Sequence, residues 1–261
     1  MINMKRLLKK WTPRILGAGL LFIAVLLLFV LNPTLLYANK TKYNNLIIYH
    51  NSPLPPNFKT ILDEASRIVK SSELYNPDFK IHICLNDGSG YYPKLIQSFH
   101  PPAFGIGFYN IVVVMGRANW KENIVTLNGY KWNLSQLIAH EQVHCFQFHK
   151  LGLMKSNPIA KYPLWKWEGY NEYIARRNED QISLLNNIDR LYKTKEKNKN
   201  EWCVLFADST VVDKTYYNWW LLMQYCKDVK KMTYNEILRT KTTEESIKKE
   251  MMNWYSRSIK K

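Results

Sequence analysis

His140-Glu141-Gln142-Val143-His144 places two imidazoles four positions apart, with a carboxylate directly after the first. Side chains four apart share one face of a helix, so both rings can bind one divalent cation. Glu141 is then within reach of a water activated by that cation and can act as its base. A catalytic zinc holds three protein ligands and leaves one position open. The third is expected from Trp165-Lys166-Trp167-Glu168-Gly169-Tyr170-Asn171-Glu172, where Glu168 lies 24 positions beyond His144. Glu172, one turn further on the same face, can accept the outer N–H of a ligating histidine, a support that metal-bound imidazoles usually have. Two imidazoles and a carboxylate suit Zn²⁺, one ion per chain.

Such a site needs helices to carry it. Leu134, Leu137, Ile138, Val143 and Phe146 recur at helical spacing, and Asn133 with Gln136 has the spacing of a capping box. The motif therefore falls in mid-helix. A loop marked by Gly152, Asn157-Pro158 and Pro163 precedes a second helix that runs through Arg176 and Arg177.

The pattern H-E-x-x-H followed by W-x-x-E-G-x-x-x-Y resembles the gluzincin clan of zinc metallopeptidases, which includes thermolysin-like and aminopeptidase N-like enzymes. The likeness covers Leu134 to about Ala175. It implies Glu168-Gly169 as the ligand-bearing pair, Glu172 as support for a histidine, and Glu141 as the base in peptide-bond hydrolysis. A tyrosine well downstream, Tyr216 or Tyr217, would stabilise the oxyanion. An edge strand beside the zinc helix would hold an extended peptide, and Asn110, Ile111 and Val112 are the candidates. The implied fold is zincin-like α+β: a small mixed or antiparallel sheet packed on the motif helix, followed by a helical C-terminal part. This chain is much shorter than those enzymes, and the gap between its two helices is several residues longer than in many of them.

The second informative region is the N-terminus. Lys5, Arg6, Lys9, Lys10 and Arg14 precede an uncharged apolar run, residues 15–31. That run is just long enough to span a bilayer, and the basic flank favours a cytoplasmic N-terminus. The expected organisation is a basic segment 1–14, a transmembrane signal anchor 15–31, a proline-marked stalk 32–56 and an extracytoplasmic domain 57–261. The alternative is secretion after signal cleavage, best placed after Ala38.

Within the domain, a helix is expected over Phe58–Lys70 and a strand over Lys80–Leu85. The stretch Phe104–Met115 is rich in β-branched and aromatic residues, with glycines that allow a bend, and within it Asn110–Met115 reads either as the peptide-holding edge strand or, equally, as a buried sheet strand. Residues 178–200 read as a polar, solvated excursion. A helix follows over Thr215–Lys227, and both Thr233 with Glu236 and Thr242 with Glu245 have capping-box spacing.

The formal net charge of +16 is spread along the chain without a nucleic-acid-binding motif, which argues against nucleic acid as partner. The four cysteines leave pairing open: Cys203 with Cys226, or Cys84 with Cys145. His50, His82, His100 and His149 lack paired spacing and read as structural. Two further functions fit the same residues, a non-catalytic envelope-maintenance protein and a zinc amidase acting on cell-wall peptides. An intact Glu141 favours hydrolysis of peptide or protein substrates.

Overall fold

The apolar run forms part of one long helix, α1 (Met4–Leu31), in a computed structural model that describes residues 4–88, 91–99, 101–197 and 202–260. Its Trp11–Leu31 portion is exposed and apolar, and is long enough to cross a membrane. The segment expected to be a stalk is instead the start of the sheet. Strands β1 (Asn39–Tyr43) and β2 (Leu46–His50) pair antiparallel, and β2 is largely buried. The prolines Pro33, Pro53, Pro55 and Pro56 lie outside these strands, so they flank β structure rather than exclude it.

Helix α2 (Phe58–Val69) leads to β3 (Ile81–Cys84), and α3 (Tyr91–Gln97) leads to β4 (Gly105–Phe108) and β5 (Ile111–Val114). These strands form a mixed five-stranded sheet in the order β1-β2-β3-β5-β4, with β2, β3 and β5 parallel and β4 at one edge. The stretch Phe104–Met115 bends into a hairpin at Tyr109-Asn110, where Tyr109 adopts φ 52°, and of the two readings of Asn110–Met115 the buried sheet strand is the one found, as β5. Strands β6 (Arg117–Asn119), β7 (Ile124–Leu127) and β8 (Tyr130–Asn133) form a small antiparallel sheet.

The motif helix is α4 (Leu134–Leu151), and Leu134 through Gln147 are all buried. Asn133 caps it by accepting from Gln136 N at 3.0 Å. The Gln136 side chain does not return the bond but donates to Gln181, so the box is half formed. α4 and α2 cover one face of the sheet through Leu62, Leu137, Ile138 and Phe146 against Ile48, Ile83 and Val112. Alternate strand residues Tyr49, Cys84, Ile111 and Val113 point to the other face, under α3 and the end of α1.

The helical half follows as α5 (Leu164–Ala175), α6 (Leu184–Lys197), the hairpin β9 (Cys203–Leu205) and β10 (Val211–Asp213), α7 (Lys214–Gln224), α8 (Tyr234–Arg239) and α9 (Glu244–Ser258). The expected solvated excursion is corrected here, because Leu184, Ile188 and Leu191 form a buried helical stripe on α6. Thr233 and Glu236 form a complete capping box. α9 is capped by Thr243 onto Ser246 N, one residue later than expected. Gly169 lets α5 lie against α7, since a Cβ there would stand 2.7 Å from the Trp219 carbonyl oxygen. All four cysteines are buried, and neither expected disulfide forms. The architecture is mixed α+β.

Candidate metal centre

His140 and His144 project from α4 toward Glu168 on α5. Glu168 Oε2 stands 3.4 Å from His140 Nε2 and 3.2 Å from His144 Nε2. These separations exceed the about 2.7–2.9 Å of a charge-assisted N–H···O bond. They match the edge of a tetrahedron whose donors sit about 2.0–2.1 Å from a central zinc, roughly 3.3–3.4 Å. One carboxylate oxygen facing two Nε2 atoms is a ligand arrangement that can hold a cation. His140, Glu141 and His144 also bring their donor atoms within 4.8 Å of one another.

The outer nitrogens face polar side chains while the inner ones face the cluster. His140 Nδ1 stands 3.2 Å from Glu172 Oε1. Glu172 is fixed in turn by Arg176, whose Nε donates to Oε2 at 2.5 Å. His144 Nδ1 lies 3.1 Å from Gln147 Oε1, and the Gln147 amide nitrogen donates to the Trp167 carbonyl and to the Tyr234 hydroxyl. The amide is therefore oriented with its oxygen toward the ring, where it can accept from Nδ1–H and leave Nε2 as the nitrogen that would face a bound metal. Gln147 and Arg176 were not among the expected residues. Their signal was present: Gln147 lies three residues past His144, and Arg176 lies four past Glu172, both same-face spacings.

The electrostatics ask for positive charge. Glu141, Glu168 and Glu172 converge here beside the buried Arg176 guanidinium, which is also ringed by Trp132, Phe206 and Trp220. In the metal-free chain, burial opposes charge on His140, yet Glu168 and Glu172 override it and raise its pKa. Burial would raise Glu168, but the two imidazoles hold it well below the usual carboxylate range. Burial raises Glu141, with His140 and His144 opposing. A bound dication would supply the charge that these carboxylates otherwise draw from protons.

Close backbone approach completes the site. A Cβ on Gly107 would meet the Glu141 carbonyl and stand 2.8 Å from His144 Cβ, and one on Gly105 would stand 2.9 Å from Glu141 Oε1. Only glycines let β4 lie this close to α4. The cluster opens into a cavity of about 840 Å³ lined by β4, with Phe148, Leu164, Trp167, Trp202 and Tyr216 among its walls.

Tyr216 reaches this cavity. Burial and the charges of Glu168, Glu172 and Glu141 keep its phenol protonated. Tyr217 does not: it is fully buried, and its hydroxyl donates to the Asn187 carbonyl. The expected peptide-holding strand is also corrected. Asn110 sits in the hairpin turn with its carbonyl engaged by His82 N. Ile111 and Val112 are paired on both sides, by β3 and by β4, so they offer no free edge. The edge strand beside the site is β4. His149 stacks on Phe79 and bonds to Asn76, while His82 stacks on Tyr49, both away from the cluster. His50 bonds to Thr41, and His100 lies outside the described residues. Comparison with family models, with curated proteins and with solved structures gave no match.

Proposed function

We propose that this chain is a membrane-anchored, zinc-dependent metallopeptidase of gluzincin type with a zincin-like fold, held by α1 with its N-terminus in the cytoplasm and acting outside it. The observation that carries the reading is the convergence of Glu168 Oε2 on the two Nε2 atoms at 3.2 and 3.4 Å, at tetrahedral-edge spacing. His140, His144 and Glu168 would hold the ion, with Glu172 and Gln147 orienting the rings. Bound there, zinc would polarise a carbonyl and lower the pKa of a water.

The chain's own residues account for the remaining steps. Glu141, buried beneath β4 and lining the cavity, takes the proton from the attacking water and passes it to the leaving amine. Its raised pKa suits both roles. Tyr216, kept protonated, donates to the developing oxyanion. The outer edge of β4 offers its backbone groups to an extended peptide. The aromatic and aliphatic walls favour peptides with bulky apolar side chains next to the cleaved bond.

The test is turnover of a peptide library by wild type and Glu141→Gln. Cleavage beside apolar residues by wild type, lost in the variant with zinc retained, supports the proposal. Equal turnover in both would remove Glu141 as base. Bound zinc without turnover of any peptide would favour the non-catalytic reading.

A further inference from the structure

Helix α3 leaves aromatic side chains exposed. Tyr91 is 71% exposed and Phe99, just past the helix, is 64% exposed, with Lys94 between them. The segment Tyr91–Phe99 contains no acidic residue. The exposed side of α2, by contrast, carries Lys59, Asp63, Arg67 and Lys70. Exposed aromatics alone are ordinary on a protein surface, so what these two meet is decided by where α3 sits.

The position of α3 is tied to α1. The Tyr92 hydroxyl donates to the Val30 carbonyl at 2.6 Å. Val30 lies in the last turn of α1 and packs with Leu36, Tyr37 and Ile96 beneath the sheet. The apolar portion Trp11–Leu31 rises about 30 Å, the thickness of a hydrocarbon core. If that portion crosses the bilayer, Val30 sits at the membrane–water boundary and α3, bonded to it, sits at the same depth. Exposed Tyr91, Phe99 and Leu35, which is 56% exposed, then meet the headgroup layer. Aromatic rings and a lysine are the side chains that favour this layer.

We propose that α3 and Leu35 form a second contact with the bilayer that α1 enters, seating the domain on the lipid surface. The proposal rests on α1 being retained as an anchor and is independent of the hydrolase reading. The same sheet carries both features, since Ile106 and Phe108 of β4 face the α3 side while Gly105 and Gly107 face α4. The domain would be seated through the sheet whose edge borders the site.

The full-length chain tests this in vesicles of phosphatidylcholine and phosphatidylglycerol. Tyr91→Cys, Phe99→Cys and, as a control on α9, Lys248→Cys each carry an environment-sensitive fluorophore; the four native cysteines are buried and form a silent background. Nitroxide lipids are expected to quench positions 91 and 99 several-fold more than position 248. Carbonate washing run in parallel separates the two claims. A chain released by carbonate overturns the anchor and this contact together. A chain retained, with positions 91 and 99 no more quenched than 248, overturns the α3 contact alone. A blue-shifted but unquenched fluorophore would mean that protein covers the patch, which also overturns it.

Discussion

On the α4 side of β4, Gly105 and Gly107 bring the backbone against Glu141 and His144. On the other side, Ile106 and Phe108 pack into a cluster with Tyr49, Tyr92 and Val113. Neighbouring residues of one strand therefore serve two regions of different physics. The α4 side is a polar assembly with named partners: Arg176 holds Glu172, Glu172 faces His140, and Gln147 orients His144. The α3 side is mainly aromatic and aliphatic packing, which is non-directional apart from tyrosine hydroxyl bonds such as Tyr92 to the Val30 carbonyl. The first region is expected to fail when a single atom is removed or added. The second is expected to lose stability gradually with volume.

Substitutions on each side break or sharpen this contrast. Glu141→Gln should lower peptide turnover about 10²–10⁴-fold with zinc content unchanged, checked by steady-state kinetics beside metal analysis. Arg176→Met leaves Glu172 buried without its guanidinium, so denaturant unfolding should register a loss of about 3–5 kcal/mol. Gly107→Val pushes a side chain into the Glu141 carbonyl and His144 Cβ; a destabilisation of about 1–3 kcal/mol and weaker zinc binding are expected. Gln147→Leu frees the His144 ring and should reduce zinc affinity about 10–100-fold in a chelator competition. Ile106→Val, on the other face of the same strand, should cost only about 0.5 kcal/mol and leave zinc affinity untouched. Equal metal loss from Ile106→Val and Gly107→Val would erase the contrast.

The two regions also differ in how far the chain's pattern announced them. The α4 stripe from Leu134 to Phe146 and the spacing of His140, Glu141, His144 and Glu168 are local periodicities, visible without a fold. Gln147 and Arg176 sit at helical spacing from those residues, but only the contacts with Trp167 and Glu172 distinguish them from other polar residues. The edge role of β4 was hidden because the hairpin turns on Tyr109 in a left-handed conformation, where a glycine or asparagine is the usual signal. β1 and β2 were masked by flanking prolines. The α6 stripe Leu184, Ile188 and Leu191 runs into a lysine-rich stretch that dilutes its apolar pattern. Tyr216 and Tyr217 are adjacent, and only the rotation of α7 separates the one in the cavity from the one in the core.

The most direct test of the account is zinc stoichiometry of the detergent-purified full-length chain beside His144→Ala and Glu168→Ala, with circular dichroism to confirm folding. One zinc per wild-type chain, lost in both folded variants, is the predicted result. A folded wild-type chain that binds no zinc near neutral pH, or a Glu168→Ala variant that keeps its zinc at full affinity, would contradict the proposed centre.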